Sequence, residues 1–192
     1  MHDNLRSNIQ KYLELPDDAF KYFVSLLELK QLRKKEVLLR QGDLEHFEAY
    51  IIEGCMIGYH LNGKKQKTVL YFMYEDWWVA DIPGMIAKEP SYLTFEAIED
   101  TRLLLISRKN KEKLYAHYPI FERLFRKMSM VALGAMQQRV IAALSQKADE
   151  RYAALIEQYP KLEQRVPQYL IASYLGISAE FLSKVRRKVN RL

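Results

Sequence analysis

Pro167-Gln-Tyr-Leu-Ile-Ala-Ser-Tyr-Leu-Gly-Ile-Ser-Ala-Glu-Phe-Leu-Ser-Lys-Val-Arg-Arg-Lys-Val189 reads as two short helices joined by a tight turn. Pro167 suits a helix start, where its missing N–H would be unpaired anyway. Leu170, Ile171, Tyr174 and Leu175 recur at helical spacing and form the buried stripe of the first helix. Gly176 supplies the left-handed conformation that ends it, Ile177 plugs the turn, and Ser178 caps the second helix. On that second helix Leu182, Val185 and Val189 face inward, while Glu180, Ser183, Lys184 and Arg187, at i, i+3, i+4 and i+7, share the outer face. An acceptor for a cytosine amino proton, a hydroxyl and two cations are the groups a recognition helix shows to the major groove of duplex DNA. The candidate DNA-binding residues are therefore Ser178, Ala179, Glu180, Ser183, Lys184, Arg187 and Lys188, the last two placed for phosphates. Helix pairs of this shape also occur in proteins that never touch DNA, and charged outer faces are commonly just solvated.

The charge distribution points the same way. From Lys161 onward seven basic residues stand against two acidic ones, so this segment carries +5 of the chain's net +6. A basic end on a nearly neutral body suggests a polyanionic partner.

Working back from this motif, the preceding stretch is helical. Pro119 opens a long helix to about residue 144, followed by a second over about 148–158 and a linker at 161–165. On the long helix Leu124, Met128, Val131, Ala135, Gln138 and Ala142 fall on one stripe, with Phe121, Phe125, Ala132, Met136 and Val140 on the adjacent flank. A helix apolar on more than one face needs two partners, here the N-terminal body and a second copy of itself. Leu124, Met128, Val131 and Ala135 are the candidate homodimer interface. A single deeply buried helix is the competing reading.

Residues from about 37 to 106 read as strands. Glu36-Val-Leu-Leu-Arg40, Ala49-Tyr-Ile-Ile-Glu53, Met56-Ile-Gly-Tyr-His-Leu61, Lys67-Thr-Val-Leu-Tyr-Phe72 and Thr101-Arg-Leu-Leu-Leu-Ile106 are rich in β-branched or aromatic residues. Asn62-Gly63 is a hairpin signal because both residues tolerate positive φ, and Gln41-Gly-Asp43 and Glu53-Gly54 punctuate similarly. Many short strands at this spacing predict a small antiparallel barrel or jelly roll. An amphipathic helix over about 17–29 precedes it, and Ser107 is the expected cap of the helix that follows it.

The expected fold class is thus α+β: an N-terminal antiparallel, jelly-roll-like β-roll (1–117), a long dimerisation helix (118–145) and a C-terminal helix-turn-helix domain (146–192). No apolar run approaches the roughly 20 residues that span a membrane, and the N-terminus shows no export signal, so the expectation is a cytoplasmic protein with no membrane partner. A lone cysteine, Cys55, supplies neither a disulfide nor an iron–sulfur cluster, and no metal, cofactor or catalytic residue is expected.

This arrangement resembles the Crp/Fnr family of bacterial transcription regulators, over nearly the whole chain from about residue 20. Leu39-Arg-Gln-Gly-Asp43 is similar to the family's early glycine turn, Tyr50-Ile-Ile-Glu-Gly54 to its strand and turn, and Glu180-x-x-Ser183-Lys184 to its Glu-x-x-(Ser/Gly)-Arg reading set. Lys184 replaces the arginine and lacks its planar bidentate fork, so base preference need not carry over. The resemblance implies a sequence-specific, homodimeric DNA-binding regulator that recruits or blocks RNA polymerase.

Members that bind cyclic nucleotides carry a Gly-Glu pair and an Arg-(Ser/Thr)-Ala segment, which by position fall on Val79-Ala80 and about Ser91-Tyr92. The glutamate and arginine are missing, and no basic residue lies between Thr68 and Ala87, while Glu75, Asp76 and Asp81 do. A phosphate finds repulsion there and no clamp. A response to cyclic nucleotides is therefore not expected. Tyr71, Phe72, Trp77, Trp78, Val79, Ala80, Ser91 and Tyr92 mark a candidate pocket for an unidentified small-molecule effector, although such aromatics also serve simply as core. The histidines, His2, His46, His60 and His117, are scattered, which disfavours haem. The wing hairpin found after the recognition helix in many relatives is not expected.

Two other classes compete. A cupin-like metalloenzyme also uses a β-roll, but His46 and His60 lack the close pairing of a cupin metal site. A degenerate sensor acting through protein contacts, without DNA binding, is the other.

Overall fold

The computed structural model describes residues 2–45 and 47–189. His46, Arg191 and the expected absence of a wing after the last helix lie outside the described residues. Two helices, α1 (His2–Gln10) and α2 (Asp17–Ser25), lead into the strands β1 (Glu28–Leu32), β2 (Val37–Leu39), β3 (Phe47–Glu53), β4 (Met56–Leu61), β5 (Lys67–Met73) and β6 (Trp78–Ala80). A short α3 (Ile82–Ala87) precedes β7 (Thr94–Ala97) and β8 (Thr101–Ser107). The chain then runs through α4 (Arg108–His117), α5 (Ile120–Ser145), α6 (Ala148–Gln158), α7 (Leu162–Arg165), α8 (Gln168–Leu175) and α9 (Ala179–Val189).

The strands form two antiparallel four-stranded sheets, ordered β1-β8-β3-β6 and β2-β7-β4-β5. The fold class is therefore the expected one: α+β, with a jelly-roll-like antiparallel roll, a long helix and a C-terminal helix-turn-helix. Between the sheets lie Leu39, Ile51, Met56, Val79, Phe95 and Leu103, all buried.

Four local expectations change. The helix over 17–29 stops at Ser25, because from Glu28 the backbone pairs with β8, Glu28 opposite Leu105. The 161–165 linker contains a helical turn, α7, that buries Leu162. Three strands, β1, β6 and β7, were not anticipated. The β4–β5 hairpin closes through a longer loop than Asn62-Gly63 alone would make. There the Asn62 side chain accepts from Lys64 N and Gln66 N, both at 3.0 Å, and positive φ falls on Lys65.

The first turns of α5 bury Phe121, Leu124 and Phe125 against α2 and the roll, alongside Phe23, Tyr50 and Trp78. Leu124, expected to face a partner copy, is thus 0% exposed within its own chain and unavailable to one. Beyond this point α5 leaves the roll. Its large exposed apolar side chains are Met130, Val131 (58%), Leu133 (59%), Val140, Ile141 and Leu144 (84%). At about 100° per residue, Met130, Leu133, Val140, Ile141 and Leu144 cluster on the side opposite Leu124, while the exposed Val131 lies on Leu124's own side, two turns further along.

The C-terminal helices cover an exposed edge of the second sheet. β5 is an edge strand, and such edges carry unpaired backbone groups. Ser173 Oγ on α8 donates to Lys67 O at 2.6 Å and accepts from Val69 N at 3.0 Å. From α5 the Arg139 guanidinium donates to the Leu70 carbonyl, to Val69 O at 3.3 Å and to Tyr174 O at 3.2 Å, and lies 3.9 Å over the Tyr174 ring. One continuous apolar cluster therefore spans Ile57, Val69 and Phe72 of the roll and Leu155, Leu170, Ile171 and Val185 of the C-terminal helices.

Candidate nucleic-acid interface and roll pocket

The α8–α9 turn forms as its residues dictate. Gly176 takes φ +68°, its N–H bonds Ser173 O at 3.1 Å, and Ile177 N bonds Ala172 O at 3.0 Å. That pair of bonds is the Schellman pattern, and a side chain at Gly176 would be opposed by φ rather than by crowding. Ser178 Oγ then accepts from Phe181 N at 3.1 Å and caps α9. Leu182 and Val185 are buried. The opposite face of α9 is open: Ser178, Ala179, Glu180, Ser183, Lys184, Arg187 and Lys188 are all exposed.

Glu180 sits in the first turn of α9, where its own backbone N–H and the Ser178 hydroxyl hold its carboxyl below the ordinary glutamate range. It is an ionised acceptor at neutral pH. Ser183 Oγ donates back to Ala179 O at 3.2 Å, and Arg187 Nε to Ser183 O at 3.2 Å. Lys188 differs from Lys184 and Arg187, because its ammonium is paired with Asp149 of α6. Arg186 points the other way, to Glu163 at 2.6 Å, and Glu163 also accepts from Tyr152 OH at 2.8 Å. These contacts brace α9 against α6 and α7. Phe181 is exposed beside this face, and an apolar side chain within a charged run carries no groove-reading signal in the sequence.

The residues suggested for an effector pocket do not stay together. Phe72 turns to the C-terminal helices, its ring 4.8 Å from Tyr174, and Trp77 packs against Tyr159 at 6.2 Å. Trp78 lies between Tyr50 and Phe125 and donates from Nε1 to Asn8 at 3.0 Å. Val79 is buried between the sheets, and Ser91 is buried with its hydroxyl donating to Leu93 O at 2.8 Å. In a strand, successive side chains alternate faces, so a run of neighbouring aromatics is divided among cores.

A pocket of about 290 Å³ nevertheless opens beside β5, and Tyr71, Ala80 and Tyr92 are among the residues that line it. With them are His60 from β4, Leu70 from β5 and Leu93, and Asp81, Ile82 and Pro83 from the start of α3. Asp81 is 2% exposed, and its Oδ2 accepts from Tyr92 N at 3.1 Å. Among the described residues no lysine or arginine lines this pocket. β5 is thus both a pocket wall, through Leu70 and Tyr71, and the edge on which α8 docks.

A double-sheet roll, a long helix leaving it and a terminal helix-turn-helix define a recognisable architecture. Residues 29–118 match the family model described as the cyclic nucleotide-binding domain. Among solved structures the chain is similar to the c-di-GMP responsive global regulator CLP of Xanthomonas campestris. The TM-score is 0.72 and identity 14%, covering 92% of each chain. It is also similar to FixK2 of Bradyrhizobium japonicum, with TM-score 0.71 and 19% identity over 86% of this chain and 85% of that one. Catabolite activator protein of Thermus thermophilus gives 0.59 and 14%, over 96% and 87%. These neighbours are Crp/Fnr regulators, and the fold of this chain is theirs. Among curated proteins none matches the sequence significantly. No helix among the described residues is long and apolar enough to cross a membrane.

Proposed function

We propose that this chain is a sequence-specific, DNA-binding transcription regulator that works as a homodimer and does not respond to cyclic nucleotides. The observation that carries the reading is the α9 face, where Glu180, Ser183, Lys184 and Arg187 stand exposed on a capped helix braced from behind by buried Leu182 and Val185. Glu180, Ser183 and Lys184 read base edges, Phe181 offers apolar contact to a thymine methyl, and Arg187 binds phosphate. Lys188 adds a phosphate contact only by giving up Asp149.

Dimerisation brings two such helices to successive major grooves. The exposed apolar side of α5, centred on Leu133, Val140 and Leu144, is the surface a second copy covers. RNA polymerase is the downstream partner implied by the family likeness. The regulator is not an enzyme and acts in the cytoplasm.

The roll pocket is the effector site. Its contact with β5 gives an occupant a direct route to the α8 dock, since Leu70 and Tyr71 of the pocket adjoin the Val69 and Leu70 carbonyls held by Arg139. A gel-shift titration in rising salt, with random duplex as competitor, tests the DNA reading. Binding that survives excess competitor supports it. Binding to neither specific nor random DNA overturns it.

A further inference from the structure

Asp81 is a carboxylate only half used within the fold. It occupies the N-cap position of α3 but makes no side-chain cap bond. One oxygen accepts from Tyr92 N, and the other, Oδ1, is buried with no hydrogen-bond partner among the described residues. A buried polar atom left unpaired is destabilising by roughly 1–3 kcal/mol, and more when charged, so few are kept without cause. Crowding keeps the group in place: a Cβ added at Gly84 would lie 2.6 Å from Asp81 Oδ2.

The rest of the lining has matching chemistry. His60 Nδ1 lies 3.0 Å from Tyr92 O and donates to that carbonyl. Burial raises the Tyr71 phenol above its usual range, keeping it neutral. Two phenol rings, Tyr71 and Tyr92, stand in the wall, and ring faces attract cations. Leu70, Ile82, Pro83 and Leu93 supply apolar surface.

We infer that the pocket receives a small organic amine, bound as its ammonium by Asp81 with its apolar body against Tyr71 and Tyr92. The inference rests on the effector-site reading and gives that site a ligand class. Oδ1 is buried, so an ammonium in the pocket reaches it once the Asp81 carboxylate turns toward the opening; it then supplies the donor that Oδ1 lacks, through a charge-assisted bond that is among the stronger contacts available. The volume of about 290 Å³ restricts the ligand to about one ring and a short chain.

The test uses the full chain and three probes of nearly one shape: phenethylamine, neutral 2-phenylethanol and anionic 3-phenylpropionate, each titrated calorimetrically. Phenethylamine is expected to bind about tenfold or more tightly than either isostere, and Asp81→Asn to remove that preference. Tyr92→Leu keeps the backbone N–H that holds Asp81 and should weaken the amine about threefold relative to the alcohol through loss of the ring face. This variant decides the matter should Asp81→Asn fail to fold. Equal affinity for the three probes, tighter binding of the acid, or an undiminished amine preference in the folded Asp81→Asn protein overturns the amine assignment and leaves the pocket standing. Equal loss of amine and alcohol in Tyr92→Leu does the same. Binding of none of the three overturns the amine assignment and the effector-site reading together.

Discussion

Arg165 grips Glu75 with two parallel bonds, Nη1 to Oε2 at 2.8 Å and Nη2 to Oε1 at 2.9 Å, joining α7 to the turn that follows β5. The same guanidinium reaches Glu99 through Nε at 3.1 Å and Nη2 at 2.7 Å. Glu75 in turn accepts from Gly54 N at 3.0 Å. One arginine therefore fastens the C-terminal helices to two turns of the roll, as Ser173 and Arg139 fasten them to β5.

This clamp should show in acid. The Arg165 guanidinium holds the Glu75 carboxyl down to about 2, against an ordinary value of 4.5. A depressed carboxyl stabilises the fold above its unfolded value, and that contribution fades as pH falls from 4.5 toward 2. Glu75→Gln should therefore lower the urea midpoint at about pH 6 and lose its effect near pH 2. Partial solvent exposure limits the loss at neutral pH to about 1 kcal/mol. A midpoint difference that is the same at both pH values would contradict the clamp.

The two sides of α5 should respond differently to substitution. Leu124→Ala empties a core position and should destabilise the fold by about 2–5 kcal/mol. Leu133→Glu and Leu144→Glu touch only exposed surface, and should give folded monomers in sedimentation velocity, because charge in an apolar interface is costly to bury. Dimers persisting in both glutamate variants would place the interface elsewhere.

These differences mark how far the sequence was legible. Strands with sustained β-branched or aromatic runs, such as Ala49-Tyr-Ile-Ile and Lys67-Thr-Val-Leu-Tyr-Phe, were readable, as was the Gly176–Ser178 turn, whose residues act locally. β6 and β7 have three and four residues, too few for a period to register. β1 is mostly exposed, so pairing with β8 rather than an apolar pattern makes it a strand. On α5, apolar residues surround the helix, and periodicity alone could not say which side the roll takes. Leu124 and Val131 looked equivalent until α2 and the roll claimed the first. The pocket was only half visible, because Phe72, Trp77 and Trp78 are apolar enough for any core. The lack of cations between Thr68 and Ala87 was the usable signal, and Asp81 belongs to it.

Cyclic AMP and cyclic GMP should not bind with useful affinity. Their cyclic phosphate would meet Asp81 and no arginine or lysine in the lining, and like charges in a poorly solvated site repel. Calorimetry should show no heat beyond dilution for either nucleotide. Micromolar binding of either would contradict this.

The central claim is that the exposed face of α9 reads DNA. Competition across a randomised duplex library measures it most directly, comparing the parent protein with Glu180→Ala, Lys184→Ala and Arg187→Ala. The parent should select a palindrome whose half-sites lie about 10 base pairs apart, centre to centre. Glu180→Ala and Lys184→Ala should each relax preference at one or two positions, at a cost of roughly 1–3 kcal/mol. Arg187→Ala should weaken all sequences alike and make the salt slope shallower by about one unit. Base preference unchanged in both the Glu180 and Lys184 variants would contradict the claim, and α9 would have to be set aside as the recognition helix.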